Sequence, residues 1–168
     1  MKRLILFRHA KSSWSQPGTP DNERPLSSRG ERDAPAMGAR LAARGEQPQV
    51  ILTSHAVRAA ATARAVAAAL TSAQGLIRVE RRLYLASLER LLDVLHEQDD
   101  DESRTLLIGH NPGLTELANH LLPTLALDNL PTAGVVAIEV DAARWLDLRP
   151  GVCRLLYYDY PKNTNTTR

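Results

Sequence analysis

Short apolar runs recur along this chain, and each of the first four is followed by a stretch of helical character. That alternation restricts the possible folds more than any other feature. Residues 4–7, Leu-Ile-Leu-Phe, form an uninterrupted apolar run that stops abruptly at Arg8. Such a run reads as a strand buried on both faces. Further apolar or β-forming segments lie at 50–53, 105–108, 135–140 and 155–158, and 77–83, though interrupted by charge, is a candidate third strand. Helical patterns occupy the intervals. Residues 28–44 stop at Gly45, with Pro35 expected either to kink the helix or to sit in its first turn. Residues 56–70 are dominated by alanine, the strongest helix former. In 87–98, Leu88, Leu91, Leu92 and Leu95 share one helical face, and 112–122 is a further amphipathic segment. The order β-α-β-α-β-α-β-α-β-β predicts an α/β protein: a single-domain three-layer α/β/α sandwich around a mainly parallel central sheet. One domain over residues 1–162 suits the length of 168, and the polar segment 163–168 is expected to be a disordered tail.

Composition removes several classes of function. Hydrophobic residues at 43% and charged residues at 24% describe neither a disordered nor a membrane chain. No stretch approaches the ~20 apolar residues of a membrane span, and the four after Arg3 fall short of a secretory core of about 7–15. The balance of 21 basic against 19 acidic residues, net +2, gives no reason to expect a nucleic-acid partner. A single cysteine, Cys153, permits no internal disulfide and fits a reducing compartment. A cytoplasmic protein with no membrane partner is expected.

In open α/β sheets, ligands bind beyond the carboxyl ends of the strands. Arg8 and His9 follow the first strand. Ser54 and His55 follow the second, with Arg58 one turn later. Gly109, His110, Asn111, Pro112 and Gly113 follow the fourth. Two guanidiniums offer forked donors that match phosphate oxygens, and a strand-to-helix junction adds backbone N–H groups. Asn111 suits an N-cap and Pro112 the first helical position, which places His110 at a helix entrance. A neutral imidazole beside two arginines has its charged form disfavoured and stays nucleophilic. Metal ligation would want carboxylates or histidines at ligand spacing, and the sequence has none there. The long loop 11–27 holds Asp21 and Arg24, and loops of that length are often functional.

These residues carry a family resemblance. Arg8-His9-Ala10 resembles the Arg-His-Gly signature of the histidine phosphatase superfamily, with Ala10 in place of glycine. Ser54-x-x-x-Arg58-x-x-x-Thr62-Ala63 resembles its second block, and Gly109-His110-Asn111-Pro112-Gly113 its third. The start Arg8-His9-Ala10-Lys11-Ser12 and the segment Asp21-x-x-Arg24-Pro25-Leu26 are similar to the SixA-type phosphohistidine phosphatase branch. The likeness spans residues 3 to about 140 and implies the phosphoglycerate-mutase-like fold.

The resemblance implies a phosphatase in which His9 attacks phosphorus and becomes a transient phosphohistidine, while Arg8, Arg58 and His110 hold the phosphoryl oxygens. It implies no metal and no organic cofactor. Asn111 would help shape the phosphate pocket or simply cap the helix. Arg24 would contact the anion or pair with Asp21. The proton donor is open: neither Glu80 nor Glu89 aligns with the carboxylate of larger members, and Asp21 is the candidate because its loop can fold over the site. The absence of a strong acid suits a phosphoramidate, whose imidazole leaving group carries its own proton. The expected partner is therefore a phosphorylated protein such as a histidine-phosphotransfer domain. The alternatives are a small phosphorylated metabolite, or a non-catalytic phosphate-binding module, which would ordinarily have lost His9.

Overall fold

A computed structural model of the protein describes residues 1–70 and 76–164. Six strands form one sheet: β1 (Lys2–Arg8), β2 (Val50–Thr53), β3 (Ile77–Val79), β4 (Arg104–Gly109), β5 (Val135–Val140) and β6 (Cys153–Asp159). Their order across the sheet is β3-β2-β4-β1-β5-β6. The pairs β2–β3, β2–β4 and β1–β4 are parallel, whereas β1–β5 and β5–β6 are antiparallel. Among the described residues the four α-helices are α1 (Ser28–Ala43), α2 (Val57–Ala69), α3 (Leu88–His96) and α4 (Gly113–Leu121). This is the expected mainly parallel α/β/α sandwich.

Alternation along the strands divides the interior into two cores. On β1, Ile5 and Phe7 face one side, where they join Ala34, Met37 and Leu41 of α1 and Ala63 and Val66 of α2. Leu4 and Leu6 face the other, with Leu91 and Leu95 of α3, Leu114 and Leu117 of α4, and the fully buried Trp145. Adjacent residues pointing to opposite faces is the period-two geometry of a strand. Both faces being covered explains why the run is apolar throughout.

Local chemistry sets the element ends. Ser27 caps α1 by accepting from the Gly30 N–H at 3.2 Å, and Gly45 after it has φ +77, a conformation glycine tolerates. Pro35 lies in the second turn of α1, not the first, and the helix runs on through it. The third apolar run is cut short. β3 ends at Val79 because the Glu80 side chain accepts from the Arg82 N–H at 3.0 Å and starts a 3-10 turn over Arg81–Leu83. Residues 165–168, most of the expected tail, lie outside the described residues. No helix among the described residues is long and apolar enough to cross a membrane.

Candidate active site

Sheet register builds this site. Arg8, the last residue of β1, pairs with Gly109, the last of β4. The next residue on each strand is a histidine, so His9 and His110 emerge side by side with ring centroids 5.0 Å apart. The backbone there is held from both flanks. The His9 N–H donates to the Gly109 carbonyl at 3.1 Å, and the Ala133 N–H lies 3.0 and 3.1 Å from the Arg8 and His9 carbonyls. Arg58 arrives on the first turn of α2, directly after β2.

The side chains form one network. His9 Nδ1 donates to the Ala10 carbonyl at 2.8 Å. A carbonyl can only accept, so the proton sits on Nδ1 and Nε2 is the ring's acceptor. That Nε2 faces Arg58 Nε at 3.4 Å. Arg58 Nη2 also lies 3.4 Å from His110 Nδ1, while His110 Nε2 meets the Ser54 hydroxyl at 2.6 Å. Burial, with Arg58 and Arg8 nearby, pushes the His9 pKa down to about 4. Burial, then His9 and Arg58, push His110 down to about 3. Both rings are therefore neutral near pH 7. Arg8 Nη1 donates to the Leu130 carbonyl at 2.9 Å, and its Nε is buried without a partner. These groups converge on a cavity of about 220 Å³ lined by Arg8, His9, Arg58 and His110. Basic forks and a neutral imidazole around one small cavity suit a phosphoryl group.

The family model described as histidine phosphatase superfamily (branch 1) matches residues 4–86. The chain belongs to the histidine phosphatase superfamily. An uncharacterized protein of Mycobacterium tuberculosis is 30% identical over 165 residues, covering 93% of this chain and all of the relative. A solved structure assigned to phosphohistidine phosphatase SixA of Agrobacterium tumefaciens is 27% identical, with a TM-score of 0.78 over 95% of this chain and 99% of that one. The protein histidine phosphatase SixA complexed with tungstate shares the fold at a TM-score of 0.80 and 19% identity, over 95% of this chain and 97% of that one.

For a histidine phosphatase superfamily member, the disposition of the loop residues is informative. Asp21 does reach the site, but as an anion bound on three sides. Its carboxylate accepts from Arg58 Nη2 and Arg24 Nη1, each at 3.0 Å, and from the Tyr84 hydroxyl. The Asp21 carbonyl also accepts from Arg58 Nη1 at 2.7 Å. The Tyr84 hydrogen bond, followed by those of Arg58, holds its pKa down at about 2. In this arrangement Asp21 braces Arg58 as an ion-paired carboxylate. Arg24 pairs with Asp21, bonds the Ser12 hydroxyl and the Ser13 carbonyl, and lines the cavity.

Helix α4 starts one residue later than expected: Pro112 is the N-cap, and Asn111, expected there, lies one position before it. The helix begins at Gly113 after a cis Asn111–Pro112 bond, and Asn111 Oδ1 accepts from the Thr115 N–H at 3.2 Å. Its Nδ2 donates to Asn129 Oδ1 and the Leu130 carbonyl, so the side chain is fully engaged within the scaffold. Glu80 is bound to Arg82, away from His9. His55 stacks beside Tyr84 with centroids 5.1 Å apart. Thr132 lines the cavity.

Sequence reasoning gave Tyr84 no part in the site. Its ring stands edge-on to His110 at 5.5 Å while its hydroxyl grips Asp21. It follows a 3-10 turn, where no periodic pattern marks which way a side chain faces. Among the described residues, no group of three or more His, Cys, Asp and Glu is placed to hold a metal ion.

Proposed function

We propose that the protein is a phosphatase that acts through a covalent phosphohistidine on His9, and that its substrate is a phosphohistidine carried by a protein. The observation that carries this reading is the His9 tautomer: Nδ1–H is spent on the Ala10 carbonyl, which leaves the Nε2 lone pair in the cavity beside Arg58. In the first step, a bond forms between His9 Nε2 and phosphorus as the bond from phosphorus to the leaving nitrogen breaks. The departing ring keeps the electron pair and leaves as neutral imidazole, its other nitrogen having taken a proton from solvent beforehand. Water then attacks phosphorus, the bond to His9 Nε2 breaks, its electron pair returns to the ring, and both water protons leave with the phosphate as H2PO4⁻. Arg8 and Arg58 stabilise the charge on the phosphoryl oxygens. A bound dianion would favour protonated His110, which then adds a donor at Nδ1.

Asp21, locked as a carboxylate, supports a substrate that needs no acid from the enzyme. A second reading, a small phosphorylated metabolite, draws on a neighbouring cavity of about 390 Å³ that shares Thr132 with the phosphoryl cavity and is lined by Arg29, Tyr160 and Lys162.

The test compares wild type with His9→Ala on a phosphohistidine protein, p-nitrophenyl phosphate and sugar phosphates. His9→Ala is expected to lose activity by at least about 1,000-fold and to trap no acid-labile phosphoenzyme. Full activity in the variant would sink the covalent mechanism. Equal turnover of every substrate would sink the preference for phosphohistidine.

A further inference from the structure

The cavity at His9 holds little more than the reacting group. Its volume of about 220 Å³ lies below the roughly 300–1,000 Å³ of sites that enclose a small molecule. Most of a leaving group must therefore rest on what stands at the mouth. Two apolar side chains line this cavity and still face solvent: Trp14 is 73% exposed and Leu85 55%. They come from different loops, one after β1 and one after β3.

Both are held in place. The guanidinium of Arg24 lies over the Trp14 ring, 3.3 Å from its centroid, and Arg24 is itself buried and bonded to Asp21 Oδ1 and the Ser13 carbonyl. The ring is thus braced on one face and open on the other. Leu85 has φ +47, in the left-handed region that costs a residue with a side chain of order 1 kcal/mol or more. Its neighbours fix that conformation: the Tyr84 N–H donates to the Arg81 carbonyl at 3.1 Å and the Ala86 N–H to the Leu83 carbonyl at 3.3 Å. Lys11 lines the same cavity, is exposed, and has no ion pair among the described residues.

We propose that Trp14, Leu85 and Lys11 form a docking rim for a protein substrate, a surface that presents its phosphorylated side chain between apolar and acidic neighbours. The proposal rests on the phosphohistidine reading above. Rigid aromatic and aliphatic anchors around a small polar centre match the pattern in which a few apolar residues dominate protein binding. Lys11 supplies the charge complement to acidic neighbours. A small ligand confined to the cavity would touch only the edges of these side chains that line it and leave the rest of each in water.

The experiment compares Trp14→Ala, Leu85→Ala and Trp14→Phe with wild type on two substrates: a phosphorylated histidine-phosphotransfer domain and N-phosphoimidazole. The two alanine variants are expected to lose about tenfold in kcat/KM on the protein, through KM, and to stay within about twofold on phosphoimidazole. Trp14→Phe should recover most of the loss. Binding of the protein should also change the fluorescence of Trp14, the one exposed tryptophan, because Trp145 is fully buried. Equal losses on both substrates, or no loss on either, would overturn the rim. So would wild-type turnover of phosphoimidazole without turnover of the protein. His9→Ala run in parallel separates the two ideas: its turnover tests the chemistry, and the ratio between substrates tests the rim.

Discussion

Thr62 on α2 accepts a hydrogen bond from the buried Ala10 N–H at 3.0 Å and donates its own proton to the Arg58 carbonyl at 2.7 Å. One hydroxyl thus ties the residue after the nucleophile to the helix turn that carries Arg58. Thr62→Val keeps the shape and removes the acceptor, which leaves a buried N–H unpaired. A stability loss of about 1–3 kcal/mol is expected in urea denaturation. A fall in kcat should accompany it, since the spacing of His9 and Arg58 is set through this contact.

Asp21→Asn separates anchoring from acid catalysis. The neutral amide cannot pair electrostatically with Arg58 or Arg24, so a rise in KM of about tenfold is expected on any phosphoryl substrate. The alkaline limb of the kcat profile should be unchanged. Loss of that limb would restore Asp21 as the proton donor.

The two buried histidines set the acid behaviour. Protonation of a histidine begins near pH 6.5 in the unfolded chain, but near pH 4 for folded His9. Between these values the unfolded state binds more protons. Stability is therefore greatest above about pH 6.5 and falls as the pH drops toward 4, by on the order of 3 kcal/mol for His9. Denaturation midpoints measured across pH 4–7 would record this slope. The same protonation removes the nucleophile, so kcat/KM should decline on the acid side with an apparent pKa near 4. A midpoint near 6.5 would show that His9 is not shielded as described.

Gly113 opens α4 against a neighbouring backbone. A Cβ there would lie 2.1 Å from the Ala86 carbonyl oxygen and 3.2 Å from Leu91 Cδ1. Gly113→Ala must push α4 away from the loop after β3, and His110 moves with it. A loss of about 2 kcal/mol or more in stability is expected, with reduced activity in what still folds.

Much of the fold was legible because the strands are simple. Runs such as 4–7 and 105–108 are apolar on both faces, and alanine dominates α2. The third run misled because Val79 is followed by Glu80, whose side chain competes for the Arg82 N–H. Within the site, the positions of His9, His110 and Arg58 followed from strand ends, because register places the ends of adjacent parallel strands together. The partners of Asp21 did not. A loop residue's contacts depend on how segments 63 residues apart in sequence meet, and Tyr84 carried no pattern that pointed to Asp21. Trp14 and Leu85 were invisible for a related reason: a large apolar side chain left in solvent looks, in sequence, like any other core residue.

The strand that ends beside His9 is made first and gains its second neighbour late. β1 lies inside the sheet, with Arg3 beside Arg104 on one flank and Lys2 beside Val140 on the other. Neither neighbour exists until most of the chain has been synthesised. The fold therefore has a high contact order at its catalytic centre, and closing those long loops is the slow part of assembly. A nascent chain that stops short of residue 135 carries His9 on a strand still missing its β5 neighbour. Only once β5 is in place does the strand that ends beside His9 have a neighbour on each flank.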